Sequence, residues 1–289
     1  MKKRSAFAPI YLALVLLLMY LPILVVVLFS FNGNPSRNAS VQWGGGLSLQ
    51  WYEGLFSPEK GYLDALLTSL RIAGMSVAAA AVIGTLGAVG MVRRQLKSTL
   101  SARAGNAALS FFELLSMLPI MIPEIILGIA FLALFSALRL PFGEMTLVLS
   151  HITFCIPYIY ITVKSRLTTL DPALNEAARD LGASPAKAFL TVTMPLVMPA
   201  IISGSLLAFA MSMDDFVISF FVNGAQTTTL PLKVYSSVKV GVTPAVNALC
   251  TVMLGMAFLI SATGQWVGSS AERRRKRQER REKLKEAQA

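Results

Sequence analysis

Glu124, Asp214 and Asp215 lie in stretches that are otherwise apolar, the two aspartates side by side in MSMDDFVISFFV (211–222). On insertion scales a charged side chain at the bilayer centre costs about 2.5–3.5 kcal/mol, so such groups face a bundle interior, a partner or water. Adjacent helical residues point about 100° apart, which gives the two aspartates different surroundings. Asp215 shares its face with Gly204, Ala208, Ser212 and Ser219, with Ser205 and Asn223 at the margin, which makes a small and polar stripe. Asp214 has Leu207, Met211, Ile218 and Phe221 as neighbours. The three acids form a candidate path for a cationic substrate. In this reading Asp215 lines a hydrated passage, Glu124 supplies a second station, and Asp214 braces the helix through a donor on a neighbouring helix or a partner subunit. The competing reading gives all three to helix packing or subunit pairing.

Other chemistries have little to work with. His151 is the single histidine and has no acidic neighbour in sequence, so it reads as a capping or packing residue rather than a proton relay. An intramembrane hydrolase needs a nucleophile–base pair or a metal constellation, which one histidine and scattered acids do not make. Cys155 and Cys250 sit inside apolar runs, without the spacing of a disulfide framework or a metal site, and read as buried free thiols. No G-x-x-x-x-G-K-[ST] occurs, so the chain has no P-loop to cradle nucleotide phosphates. No catalytic residue, metal or cofactor is expected in this chain.

The elements that must hold these acids are membrane helices. Of 289 residues, 55% are hydrophobic and 14% charged, and the mean hydropathy is +0.63, which excludes an ordinary soluble domain. The apolar residues gather into runs of the roughly 20 residues that a bilayer core requires. Six spans are expected, at about 7–31, 66–92, 112–138, 145–163, 197–222 and 245–268. The N-terminus begins like a signal peptide, but its uncharged run is too long for one, so it reads as the first retained span. The third is the longest apolar stretch, at about 50 Å if straight, so it lies partly along the membrane surface or bends, with Pro119 and Pro123 as bend points. In the second, Ala80, Gly84 and Ala88 are spaced by four and Gly84, Gly87 and Gly90 by three, which suits close helix packing.

Basic residues orient the spans. Twenty of the 26 lysines and arginines fall at the N-terminus, in the loops after the second and fourth spans, and after Ser270, against five on the other side. That bias places both termini in the cytoplasm. Residues 1–270 form the membrane domain, and 271–289 form a basic tail that suits anionic lipid better than nucleic acid. Trp43, Trp51 and Tyr235 in the outer segments suit the membrane interface.

The cytoplasmic loop of about 168–195 is densely punctuated. Asp171 can cap a helix that begins at Pro172, and Gly182 supplies its left-handed stop. Ser184 and Pro185 repeat the start signal, and Pro195 is expected to close the second helix. Ala173, Leu174, Ala177, Ala178 and Leu181 fall on one side of the first helix, with Asn175, Glu176, Arg179 and Asp180 on the other. Such a helix either packs on its own membrane spans or takes a partner.

EAARDLGASPAKAFLTVTMP (176–195) resembles the EAA loop of ABC-importer permeases, whose pattern is E-A-A, three residues, G, nine residues, then I-x-L-P. Glu176, Ala177, Ala178, Gly182 and Pro195 match, while Val192 and Met194 replace the isoleucine and leucine. SFNGN (30–34), SHITFCIPYIYITVKSRL (150–167), MPAIISG (198–204), LAFAMSMDDFVISFFV (207–222) and LPLKVYSSVKVGVTPAVNAL (230–249) are similar to the spermidine/putrescine branch, and to its C-type subunit more than to its putrescine-specific relative. The resemblance implies an all-α membrane fold of six helices, the ABC type I importer permease fold, with a cytoplasmic coupling helix between helices 4 and 5. It implies half of a pore in a bacterial inner membrane. The other half is a B-type permease; two copies of a cytoplasmic ATPase carry ATP and Mg, and a periplasmic binding protein delivers polyamine. Glu176, Ala177, Ala178 and Gly182 would then engage the ATPase. A permease for another small solute shares the fold and the EAA loop, and only the intramembrane acids and the resemblance to the polyamine branch favour a cation. An ion-driven secondary transporter often shows two repeated halves, and no convincing repeat is found.

Overall fold

The computed structural model describes residues 7–34, 43–55, 57, 61–97, 102–241, 244–255 and 258. Among these the chain is all-helical, apart from one isolated bridge between Asn32 and Leu47. The helices are α1 (Phe7–Phe29), α2 (Gln50–Leu55), α3 (Tyr62–Lys97), α4 (Ala102–Met121), α5 (Glu124–Ala137), α6 (Glu144–Thr168), α7 (Ala173–Asp180), α8 (Pro185–Ala188), α9 (Met194–Asp214), α10 (Val217–Val222), α11 (Leu230–Val240) and α12 (Pro244–Gly255). Two compact units form: residues 1–60 with 236–289, and residues 61–235.

Among the described residues, four helical stretches are long and apolar enough to cross a membrane: Pro9–Phe29, Tyr62–Val92, Glu144–Thr168 and Pro185–Asp214. A fifth crossing is available if α4 and α5 count as one span, bent by 107° between Met121 and Glu124. The bend falls at Pro123, whereas Pro119 sits inside α4 without ending it. Proline removes a backbone donor and clashes with the preceding turn, and here that breaks the helix outright. Half of the sixth expected span lies outside the described residues, as does the whole basic tail.

In the unit of residues 61–235, α6 is the axis of packing, with α3 and α9 lying along it. Both contacts converge near Ile159. A Cβ on Gly84 of α3 would stand 3.1 Å from Ile156 O and 3.3 Å from Ile159 Cβ, and one on Gly204 of α9 would stand 3.0 Å from Ile159 Cα. Small residues allow this approach, which replaces the missing hydrophobic drive between helices in lipid with van der Waals contact. The spacing-by-four set is the one that packs: Ala80, Gly84 and Ala88 are buried, while Gly87 and Gly90 are exposed. At one end of the α3–α6 seam, the Arg71 guanidinium grips Glu144 with two bonds of 2.7 and 2.8 Å.

In the other unit, the SFNGN turn is built around Asn32. Its Oδ1 accepts from the N–H of Asn34 (3.2 Å) and Gly44 (3.1 Å), and its carbonyl accepts from Trp51 Nε1 at 2.6 Å. Gly33 and Gly45 meet back to back, too close for a Cβ on either.

Candidate functional site

The expected continuous span of 197–222 is interrupted. α9 stops at Asp214, Asp215 is extended (φ −64°, ψ 117°), and α10 begins at Val217. No proline or glycine marks the break. The cause is Asp215 itself, because aspartate competes for backbone donors and favours helix starts over interiors. Its Oδ1 accepts from Ile218 N–H at 3.1 Å, and its Oδ2 accepts from Ser219 N–H at 2.8 Å and Ser219 Oγ at 2.7 Å. The carboxylate thus satisfies donors that a helix start would otherwise leave orphaned, a necessity where no lipid group can.

His151 of α6 completes a buried cluster. Its Nδ1 lies 2.7 Å from Ser212 Oγ, and its Nε2 lies 3.1 Å from Ser219 Oγ and 3.4 Å from Asp215 Oδ2. The histidine is buried in the seam between helices, and it does have an acidic partner, one that folding supplies and sequence proximity hides. The stripe of Gly204, Ala208, Ser212, Asp215 and Ser219 is buried as a set. It faces α6: Gly204 meets Ile159, Cys155 Sγ donates to Ala208 O at 3.5 Å, and Ser212 meets His151. A seam, rather than open water, is what most of the stripe lines.

Asp215 nevertheless borders a cleft. A cavity of about 60 Å³ is lined by Glu124, Phe154, Tyr158, Met211, Asp215 and Ile218 among others, so two of the three predicted acids open onto one space. Each follows a break, since Glu124 is the first residue of α5 after Pro123 and Asp215 caps α10. The two restarted helices also touch, with Gly128 of α5 against the Phe221 ring.

Asp214 is not in that lining. It is exposed, and among the described residues no hydrogen bond or ion pair reaches its carboxylate. Among the described residues, contacts of the kind expected of Asp214 with a neighbouring helix are made by Asp215, through His151 of α6, and a donor on a partner subunit stays open for Asp214. Two residues after Asp214 in sequence, Phe216 joins Phe220 and Tyr235 in an aromatic group, with Phe216 4.6 Å from Tyr235 and 5.6 Å from Phe220 between ring centroids. Such faces attract ammonium groups.

One acid escaped the sequence reading. Glu113 of α4 pairs with Lys164 of α6, and both are partly buried. Its signal was a glutamate in FFELLSMLPIM, an apolar run of the same kind as that around Glu124.

The loop of 168–195 folds largely as punctuated. Asp171 Oδ1 accepts from Ala173 N–H at 2.9 Å, Gly182 takes φ +86°, and Ser184 Oγ accepts from Lys187 N–H at 3.3 Å. Pro195 does not close the second helix, contrary to expectation. A π turn over Phe189–Thr193 leads straight into α9, with Pro195 in its first turn. The wider turn shifts the hydrogen-bond register, so the donor that proline lacks is not needed there. On α7, Glu176 and Ala177 are exposed, while Ala178 and Asn175 are half-buried. Leu174 and Leu181 are 47% and 90% exposed, so part of the apolar side faces out of the chain, although Leu174 also lines a pocket with Val89, Leu167 and Leu196 of the chain's own spans.

The fold is that of the membrane subunits of ABC importers. One solved bacterial ABC transporter, involved in the import of the acidic polysaccharide alginate, matches over 92% of this chain and 98% of its own with a TM-score of 0.68 at 16% identity. The MetNI methionine ABC transporter matches over 71% and 93%, with a TM-score of 0.57 at 19% identity. Residues 98–274 match the family described as the binding-protein-dependent transport system inner membrane component. The putrescine transport system permease protein PotI of Escherichia coli (strain K12) is 38% identical over 94% of each chain. The spermidine/putrescine transport system permease protein PotC is 37% identical in the same strain, over 86% of this chain and 89% of its own, and 36% identical in Haemophilus influenzae, over 86% and 91%. The chain belongs to this family of inner-membrane transport components, and is a multi-pass membrane protein.

Proposed function

We propose that the chain is one of two permease halves in an ATP-driven polyamine importer, with six spans and both termini in the cytoplasm. The observation that carries the cation reading is the cleft shared by Glu124 and Asp215, with Asp214 exposed at the same break and aromatic rings beside it. A polyamine carries ammonium groups separated by methylene stems. Spaced carboxylates among apolar and aromatic walls match that pattern, and weak successive contacts let the cation move on. A cavity of about 60 Å³ has room for an ammonium head or a few waters. An exposed Asp214 at bilayer depth must meet water or protein, since lipid rejects it. The proposed path therefore runs past Asp214, Asp215 and Glu124, with Asp215 held rigidly and Asp214 free to reach substrate.

The second, B-type permease would close the pore. α7, with Glu176, Ala177, Ala178 and Gly182, would serve as coupling helix and seat its outward apolar side on one of two ATPase copies, where ATP and Mg belong. A periplasmic binding protein would deliver the polyamine. Both PotI-like and PotC-like relatives resemble this chain to a similar degree, so putrescine and spermidine are both proposed cargo. Competition uptake of putrescine, spermidine and spermine in the assembled complex tests this. Saturable, ATP-dependent uptake of at least one is expected, and uptake of an uncharged solute alone overturns the cation reading.

A further inference from the structure

The buried cluster at the helix break has a direction that follows from what each group can donate. An ionised Asp215 only accepts, so the Ser219 hydroxyl, 2.7 Å from Oδ2, donates to it. Ser219 Oγ then accepts from His151 Nε2–H at 3.1 Å, which leaves Nδ1 bare to accept from Ser212 Oγ–H at 2.7 Å. Every member is satisfied by a neutral imidazole protonated on Nε2. One ring, 1% exposed and fixed on α6, therefore holds Ser212 in the last turn of α9 and the Ser219–Asp215 pair at the start of α10.

We propose that His151 is a positioning residue for the cation path: it clips α9 to α10 and fixes the angle of the break, which sets where Asp214 and Asp215 point. The inference rests on the reading of the acids as the path. Its two arms are unequal. α9 is held to α6 along its length, with Gly204 and Ala208 as well as Ser212, whereas the six-residue α10 has two polar ties to α6, the His151 ring at its start and the Thr146 hydroxyl, which donates to Val222 O at 2.8 Å, at its end. The Nε2 arm thus matters more than the Nδ1 arm. Glutamine places its amide N–H near the Nε2 position, while asparagine reaches only as far as Nδ1.

The test uses the full importer reconstituted with its ATPases, second permease and binding protein. His151→Gln is expected to keep most of the transport per ATP hydrolysed. His151→Asn and His151→Leu are expected to lose about tenfold or more with ATP hydrolysis retained, as displacement of a reacting or binding group by about 1 Å typically does. Spin labels at Leu206 and Ala225, both exposed positions on either side of the break, should report one narrow distance in wild type and His151→Gln, and a broadened one in His151→Asn. Filling of space alone would leave His151→Leu like wild type in both readouts, and that result overturns the clip. A narrow distance in His151→Asn overturns it too. If the leucine variant does not assemble, the Gln–Asn comparison still decides. The label distances need no substrate, so a wild-type complex that takes up no polyamine sinks the functional reading without deciding the clip.

Discussion

Glu124 and Asp215 open onto one cleft from the starts of two different helices, each following a break in a membrane segment. Breaking a helix inside a bilayer frees backbone groups that must be satisfied within the protein. At α10 the acid performs that service itself, and its carboxylate still borders the cleft. The same side chain thus makes the break and charges the space beside it.

Removal of the cap should therefore loosen the protein. Asp215→Ala leaves Ile218 and Ser219 N–H without an acceptor and is expected to cost about 1–3 kcal/mol. Asp215→Asn retains an accepting oxygen and should cost less. Thermal denaturation of the purified complex measures both, and an alanine variant as stable as wild type would show that the carboxylate does not hold α10.

The seam around Ile159 should reject bulk. Gly84→Leu and Gly204→Leu force side chains into backbone contacts near 3 Å and are expected to cost about 1–3 kcal/mol each by overpacking. Gly90→Ala, with nothing within 4 Å, should be neutral or better. Folded yield after extraction separates them, and equal yields for all three would contradict the packing described.

Just past the end of α7, Leu181→Asp should leave the permease as stable as before, within about 0.5 kcal/mol, because the side chain is almost fully exposed. Copurification of the ATPase should fall sharply. Undiminished copurification would mean that the outward apolar side is not the docking surface.

The Glu113–Lys164 pair ties α4, on the near side of the 107° bend, to α6. Glu113→Gln strands a partly buried ammonium and should lower stability by about 1–2 kcal/mol, and Lys164→Gln should do likewise. The charge swap Glu113→Lys with Lys164→Glu should recover much of the loss, which a double-mutant cycle reads directly.

Local chemistry was readable wherever it acts over a few residues. Asp171, Gly182 and Ser184 cap and stop as their types dictate, and Ala80, Gly84 and Ala88 pack as their spacing dictates. The Asp215 stripe was assembled correctly from a helical projection, although it mostly meets α6. What the projection missed was the break, because apolar runs on both sides of Asp214–Asp215 read as one continuous helix. The His151–Asp215 contact was invisible for a different reason, since it joins α6 to the start of α10, which are far apart in the sequence and meet only through tertiary packing. Pro195 misled through its neighbours, because the π turn that absorbs it has no strong composition signal.

The central claim is that carboxylates at these breaks pass a cation. The most direct measurement is polyamine uptake by the reconstituted complex carrying Glu124→Gln together with Asp214→Asn, two substitutions that remove charge from positions making no described hydrogen bond to a side chain. Uptake per assembled complex is predicted to fall by about tenfold or more, with the complex formed in normal amount and ATP still hydrolysed. Normal uptake at normal abundance would contradict the account.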